Sequence, residues 1–256
     1  MPNKRRTESS QISFGAPHRH YAHTDSTNTR ARELAAAGAP HGTIVTAAEQ
    51  TEGRGRQGRT WTAPPGKALL YSAIARPLDE RHLMMPLAVP LAVCEAAEEL
   101  QPGVECGVKW PNDVHLDGRK LAGILIEARP QDGWAVVGVG LNLTIAPDEF
   151  PPDLRETATS LFPPGRRAES VLHMEDAFGP SAAVLSERLE RWLGAGEEEV
   201  LDAWRERDVL RGREIEWDGG SGVADGVDER GYLLVIAADG DRVALGAGEV
   251  HLGRIG

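Results

Sequence analysis

The sequence predicts an α+β fold: a mixed central sheet flanked by helices, followed by a small β-barrel. Two observations carry this. Strand-like runs between residues 104 and 143 follow one another in hairpin fashion, with helical stretches before and after them. After residue 211 the chain changes to short alternating strands broken by Asp-Gly pairs, the pattern of a small barrel. A length of 256 residues suits one large unit with a small appendage. The expected organisation is a tail at 1–20, a main unit at 21–210 and a barrel at 211–256.

Taken in order, the tail is polar and basic (Lys4-Arg5-Arg6) and has no apolar stretch of a secretory signal. Asp25-Ser26-Thr27-Asn28 can cap a helix over residues 30–37, where alanines favour the helix and Gly38 suits its end. Residues 43–47 read as a buried strand. A Gly-Arg loop at 53–59 precedes an extended stretch near 68–75. Residues 82–100 are Ala-rich and apolar and predict a helix, limited in its first half by Pro86 and Pro90. Strand-like residues 104–110 come next. Asp117-Gly118 between apolar runs predicts a hairpin. Residues 134–143 form a further strand dotted with Gly138 and Gly140. Residues 181–192 and 197–210 read as helices parted by Gly194 and Gly196. Strands are expected at 214–217, 232–237 and 242–245, and Val250 and Leu252 suit a closing strand.

Bulk properties exclude several classes. The chain is 41% hydrophobic and 26% charged, as soluble domains are, and no apolar run approaches the roughly 18 residues of a membrane span. Cys94 and Cys106 are its two cysteines; they make no disulfide framework and no metal motif, so the cytoplasm is the expected compartment. A net charge of −11 gives no general attraction to nucleic acid. Few aromatics, 5%, argue against stacking platforms for single strands. Zinc spacings, His-Glu-x-x-His and Gly-x-Ser-x-Gly are absent.

Four constellations carry chemistry. Gly53-Arg54-Gly55-Arg56-Gln57-Gly58-Arg59, closed by Thr60-Trp61, mounts three guanidiniums on a backbone that glycines let ligands approach. Each guanidinium matches phosphate or carboxylate oxygens. The loop lacks the Gly-Lys-Ser/Thr ending of a P-loop. Lys109-Trp110-Pro111-Asn112-Asp113 sets a cation, an amide and a carboxylate at a strand end. Lys120 opens the apolar run Leu121-Ala122-Gly123-Ile124-Leu125-Ile126-Glu127. Gly138-Val139-Gly140-Leu141-Asn142 puts glycines inside a strand, where something must come close to the backbone.

Together, in this order and spacing, and with Ser26-Thr27-Asn28 upstream, these motifs resemble the biotin–protein ligase family over residues 20–256. The resemblance implies a class II synthetase-like, biotin–lipoate ligase-like sheet and an SH3-like barrel at the C-terminus. It implies that biotin is activated by ATP, with Mg²⁺, as biotinyl-5′-AMP and passed to a lysine of a biotin carboxyl carrier domain. By resemblance, Ser26, Thr27, Asn28 and Gln50 meet the biotin ureido ring, helped by backbone at Arg54 and Gly55. Trp61, Gly123, Leu125 and Gly138 line the apolar slot. Arg56 and Lys120 form the catalytic pair at the biotin carboxylate and α-phosphate. Arg54 and Arg59 engage phosphates, Asn112 and Asn142 hold the nucleotide and its metal, and Asp113 orients the acceptor lysine.

Where many members have Gly-Asn-Leu-Tyr, this chain has Gly66-Lys67-Ala68-Leu69-Leu70-Tyr71. Only about two dozen residues precede Ser26, which predicts a short form without the DNA-binding domain some members carry, and no operator binding. In this family a sheet edge pairs either with a second copy or with the acceptor domain, and the sequence leaves both open. Lipoate ligases share the fold and the adenylation logic; the Gly-Arg run and Lys109-Trp110-Pro111-Asn112-Asp113 favour biotin.

Overall fold

The computed structural model describes residues 13–164, 178–246, 248 and 250–252. Seven strands build the larger sheet: β1 (His18–Thr24), β2 (Ile44–Gln50), β3 (Ala68–Ala75), β4 (Cys106–Lys109), β5 (Asp113–Leu116), β6 (Arg119–Arg129) and β7 (Trp134–Asn142). Their spatial order is β1-β2-β3-β7-β6-β5-β4. Strands β1 and β2 run parallel and every other neighbouring pair is antiparallel. Helix α1 (Thr27–Ala36) is the crossover that a parallel pair requires. The predicted hairpin joins β5 to β6 through Asp117 and Gly118, both at positive φ (51° and 75°), the turn geometry that Asp-Gly favours.

The two-residue period of the strands sorts side chains between faces. On one face, Leu69, Tyr71 and Ala73 of β3 and Val137, Val139 and Leu141 of β7 join the main core with α2 (Met85–Leu100), α3 (Phe178–Leu193) and α4 (Glu197–Glu206). On the other, Ile74 and Val136 pack with Ala31 and Ala35 of α1. Farther along that second face, Ala68 and Leu70 meet Ile145, Phe150 and Ala158. The strand positions between these two clusters are the glycines and polar groups of the cleft described below.

Two expectations are corrected. The segment read as a tail is structured from residue 13: Phe14 is buried, its N–H donates to Glu190 Oε2 at 3.1 Å, and β1 begins at His18. Residues 1–12 lie outside the described residues. The helix expected from residue 82 begins at Met85, preceded by a 3₁₀ turn at Glu80–Met84. Pro86 falls in its first turn, where a missing N–H costs nothing.

The C-terminal region forms a second sheet of β8 (Glu214–Trp217), β9 (Gly220–Val227), β10 (Leu233–Ala237), β11 (Arg242–Leu245) and β12 (Val250–Leu252). It is antiparallel, in the order β11-β10-β9-β8-β12. Among the described residues it is an open sheet, with no pairing that closes it into the expected barrel. Strand β9 escaped the sequence reading because glycines, which strands disfavour, dilute it. At Gly222 an added Cβ would stand 2.4 Å from Ile236 O, so β10 approaches there as only glycine allows. Ile215, Leu233 and Val235 of this sheet belong to the main core. The Trp110 indole N–H donates to Gly231 O at 3.1 Å, tying the Lys109–Asp113 turn to it. Cys94 and Cys106 are buried free thiols, and burial pushes Cys106 up to about 12.

Candidate active site

The cleft opens on the α1 face of the larger sheet and encloses about 230 Å³. Every site candidate named from the sequence lines it: residues 26–28, Gln50, residues 54–56, Arg59, Trp61, Asn112, Asp113, Lys120, Gly123, Leu125, Gly138 and Asn142.

One end is a neutral hydrogen-bond network at the start of α1. Ser26 is the N-cap, but no side chain caps this helix. Instead Asp25 accepts from Ser26 N at 2.6 Å and from Arg30 Nε at 3.0 Å. The Arg30 hydrogen bonds hold the Asp25 carboxyl down to about 2. The polar residues that read as caps are thus released inward. Thr27 N and Oγ1 donate to Gln50 Oε1 at 2.7 and 3.0 Å. Because a backbone N–H can only donate, it fixes the Gln50 amide with its oxygen toward α1 and its NH₂ elsewhere. Ser72 Oγ, fully buried on β3, lies 2.8 Å from Thr27 Oγ1 and 2.6 Å from Asn28 Oδ1.

The floor of the cleft explains the strand glycines. Gly123 and Gly140 are direct partners across β6 and β7. An added Cβ would stand 2.4 Å from Trp61 Cε2 at Gly140 and 2.9 Å from Trp61 Cζ3 at Gly123. The paired glycines are the seat of the Trp61 ring. Gly138 was expected to line the apolar slot; its missing Cβ also makes room for Asn28, whose Oδ1 such a Cβ would meet at 2.1 Å. The Trp61 indole N–H is buried with no hydrogen-bond partner among the described residues, a cost that a bound acceptor would relieve.

The cations gather at the other end. The Gly-Arg loop is a compact turn: Gly55 N donates to Arg59 O at 2.8 Å, and Arg54 bridges Thr60 in antiparallel fashion. Gln57 sits at φ 54° in its 3₁₀ turn. Arg56 Nη1 donates to Asn112 Oδ1 at 3.1 Å, and Asn112 Nδ2 donates to Ile124 O at 2.9 Å. Lys120 Nζ pairs with Asp113 Oδ1 at 2.8 Å and stands 5.8 Å from the centre of the Trp61 ring. Arg54 differs from expectation: Nη1 lies 3.0 and 3.2 Å from the two oxygens of Glu127, so its charge is engaged by a carboxylate.

The last wall is residues 142–158. Asn142 Nδ2 donates to Thr159 O at 2.9 Å, and Lys120 N donates to Thr157 O at 2.7 Å. Phe150, Leu154, Thr157 and Ala158 line the cleft. Sequence reasoning missed these, together with Ser72 and the anchoring role of Glu127. The signal for Glu127 was present: a carboxylate that ends the apolar run of β6.

The comparisons agree with this architecture. Residues 21–143 match the Biotin/lipoate A/B protein ligase family. The biotin–[acetyl-CoA-carboxylase] ligase of Mycobacterium tuberculosis is 37% identical over 250 residues, covering 90% of this chain and 87% of that protein. The chain belongs to the biotin–protein ligase family. This ligase is also similar to the bifunctional ligase/repressor of Bacillus subtilis, at 38% identity over 141 residues, covering 53% of the chain but 43% of that protein. The biotin protein ligase of Aquifex aeolicus, solved with biotin and ATP, superposes with a TM-score of 0.74 at 27% identity, covering 94% of this chain and all of that one.

Proposed function

We propose that this ligase joins biotin to ATP as biotinyl-5′-AMP and passes the biotinyl group to one lysine of a biotin carboxyl carrier domain. In the first step a biotin carboxylate oxygen attacks the α-phosphorus and the bond to pyrophosphate breaks. In the second, the lysine amine attacks the acyl carbon and AMP leaves. No protein nucleophile is needed, so the chain's work is positioning and charge stabilisation. The observation that carries this reading is a single cleft with a neutral donor–acceptor network at one end and fixed cations at the other.

In this reading Ser26, Thr27 and Asn28, with the Gln50 NH₂ group, hold the ureido ring, and backbone at Arg54 and Gly55 closes over it. Trp61, on Gly123 and Gly140, forms the slot with Leu125 and Gly138. Arg56, steadied by Asn112, and Lys120, steadied by Asp113, face the carboxylate and α-phosphate. Arg59 serves the phosphates. Because Arg54 is engaged by Glu127, we assign it to holding the loop and not to the nucleotide. Asp113 exchanges Lys120 for the incoming acceptor lysine.

Mg²⁺ enters with the nucleotide. Among the described residues no group of three His, Cys, Asp or Glu could hold a metal, which suits an ion carried mainly by phosphate and water oxygens. Asn142, whose amide hydrogen goes to Thr159, is the side chain we assign to that shell. We read residues 13–210 as the ligase unit and 211–256 as its SH3-like appendage, acting in the cytoplasm without nucleic acid. Among the described residues no helix is long and apolar enough to cross a membrane. The outer side of β4 is occupied by residues 207–209, which leaves the β1 edge for a second copy or a carrier domain.

A lipoate ligase would share this chemistry, but a dithiolane ring offers nothing to the Thr27–Gln50 network, and buried polar groups left unpaired are costly. Pyrophosphate release measured with biotin and with lipoate separately decides: turnover with biotin supports the reading, and turnover with lipoate alone refutes it.

A further inference from the structure

The carboxylate of Glu127 is a meeting point of two parts of the site, the α1 network and the Gly-Arg loop. Oε2 accepts from Asn28 Nδ2 at 2.9 Å. Arg54 Nη1 reaches both oxygens, at 3.0 and 3.2 Å, and Arg32 Nη1 lies 3.4 Å from Oε1. Glu127 is mostly shielded, with 21% side-chain exposure. We propose that Glu127 is a positioning residue for biotin, one that sets the donor direction of the Asn28–Ser72–Thr27 network and anchors the Gly-Arg loop through Arg54. This rests on the reading that the cleft takes biotin.

The direction follows from counting hydrogens. Asn28 Nδ2 donates to Glu127 and to Leu125 O at 3.3 Å, so the Asn28 oxygen points to Ser72. A hydroxyl has one hydrogen and an amide oxygen can only accept. At 2.6 Å, Ser72 therefore gives its hydrogen to Asn28. The Thr27 hydroxyl spends its own hydrogen on Gln50 Oε1. Thr27 Oγ1 therefore has only lone pairs left, an acceptor for a ligand N–H. Beside it, the fixed Gln50 amide keeps donors for a ligand carbonyl. The network thus has the polarity complementary to a cyclic urea, and Glu127 is the anion at its far end. The same anion holds Arg54 at the first residue of the loop turn, next to Gly55.

Glu127→Gln tests this at constant size. A glutamine has one oxygen, so either Arg54 or Asn28 then faces an NH₂ group. Biotin KM should rise about three- to tenfold, the order expected for losing a charge-assisted hydrogen bond in a partly exposed cluster. ATP KM and kcat should stay within twofold, and trypsin should cut after Arg56 several-fold faster. Glu127→Ala should act in the same direction and more strongly. Arg32→Gln, outside the cleft on the same carboxylate, should leave biotin KM unchanged. A biotin KM within twofold of wild type in Glu127→Gln overturns the proposal, as does a fall in kcat with unchanged KM. If the wild-type enzyme itself releases no pyrophosphate with biotin, it is the biotin reading that fails, a distinct result.

Discussion

Replacing Gly140 with alanine tests the Trp61 seat directly. The added Cβ would stand 2.4 Å from Cε2 and 2.7 Å from Cζ2 and Nε1 of the indole. A carbon–carbon contact is comfortable at about 3.5–4.0 Å. Strand β7 cannot retreat, because Gly140 pairs with Gly123 on one side and Leu70 on the other. The ring must therefore move toward the cleft. Overpacking of this kind costs about 1–3 kcal/mol. If that cost is met by displacing Trp61 from the biotin slot, biotin KM rises about five- to 150-fold, since 1.4 kcal/mol is about tenfold. Biotin-dependent pyrophosphate exchange at saturating ATP measures it. Gly196→Ala, where a Cβ meets nothing within 4 Å, is the control. In a Trp61→Leu background the same substitution should cost much less, because the contact it strains is gone. A biotin KM within twofold of wild type, or an equal penalty in the Trp61→Leu background, refutes the seat.

Three other outcomes are expected. Lys120→Ala should slow adenylate formation about ten- to a hundredfold, the worth of one charge-assisted contact, with an unchanged melting temperature; single-turnover formation of biotinyl-AMP at the wild-type rate would remove Lys120 from the reacting centre. Burial lowers His115 from 6.5 to about 4, with Lys109 adding to it. The unfolded chain therefore binds the extra proton first, so stability is full above about pH 6.5 and declines as pH falls toward 4; denaturant midpoints across this range should slope less in His115→Gln, and an identical slope would contradict the assignment. The Gly-Arg loop, which has no apolar anchor before Trp61, should be cut by trypsin after Arg56 in the free enzyme and protected by biotin plus ATP; equal rates in both states would argue against ligand closing it.

Much of the fold and the site was legible because their signals are local. Asp117-Gly118 favours a tight hairpin turn, since both residues accept positive φ, and Gly138 and Gly140 mark a close approach of the kind that interior strand glycines often serve. The approaching groups, Asn28 and Trp61, come from 110 and 79 residues away in the chain, so the sequence shows that something approaches without showing what. Ser26 stands at the N-cap as the sequence suggests, though no side chain caps the helix, since a polar residue before a helix looks alike whether it caps or faces a ligand. The sequence groups Arg54 with Arg59 at the phosphates, and nothing local shows that Glu127, on a strand far along the chain, engages it. Strand β9 was obscured by its glycines, and β1 by the polar composition of an exposed edge strand.

The central claim is that this cleft makes biotinyl-AMP and delivers it to a lysine. Intact mass spectrometry of a carrier domain incubated with the ligase, ATP, Mg²⁺ and biotin tests it most directly. The account predicts one added biotinyl group, on a single lysine, dependent on both ATP and biotin and lost in Lys120→Ala at short times. An unmodified carrier domain after prolonged incubation, or modification by lipoate and not by biotin, would contradict it.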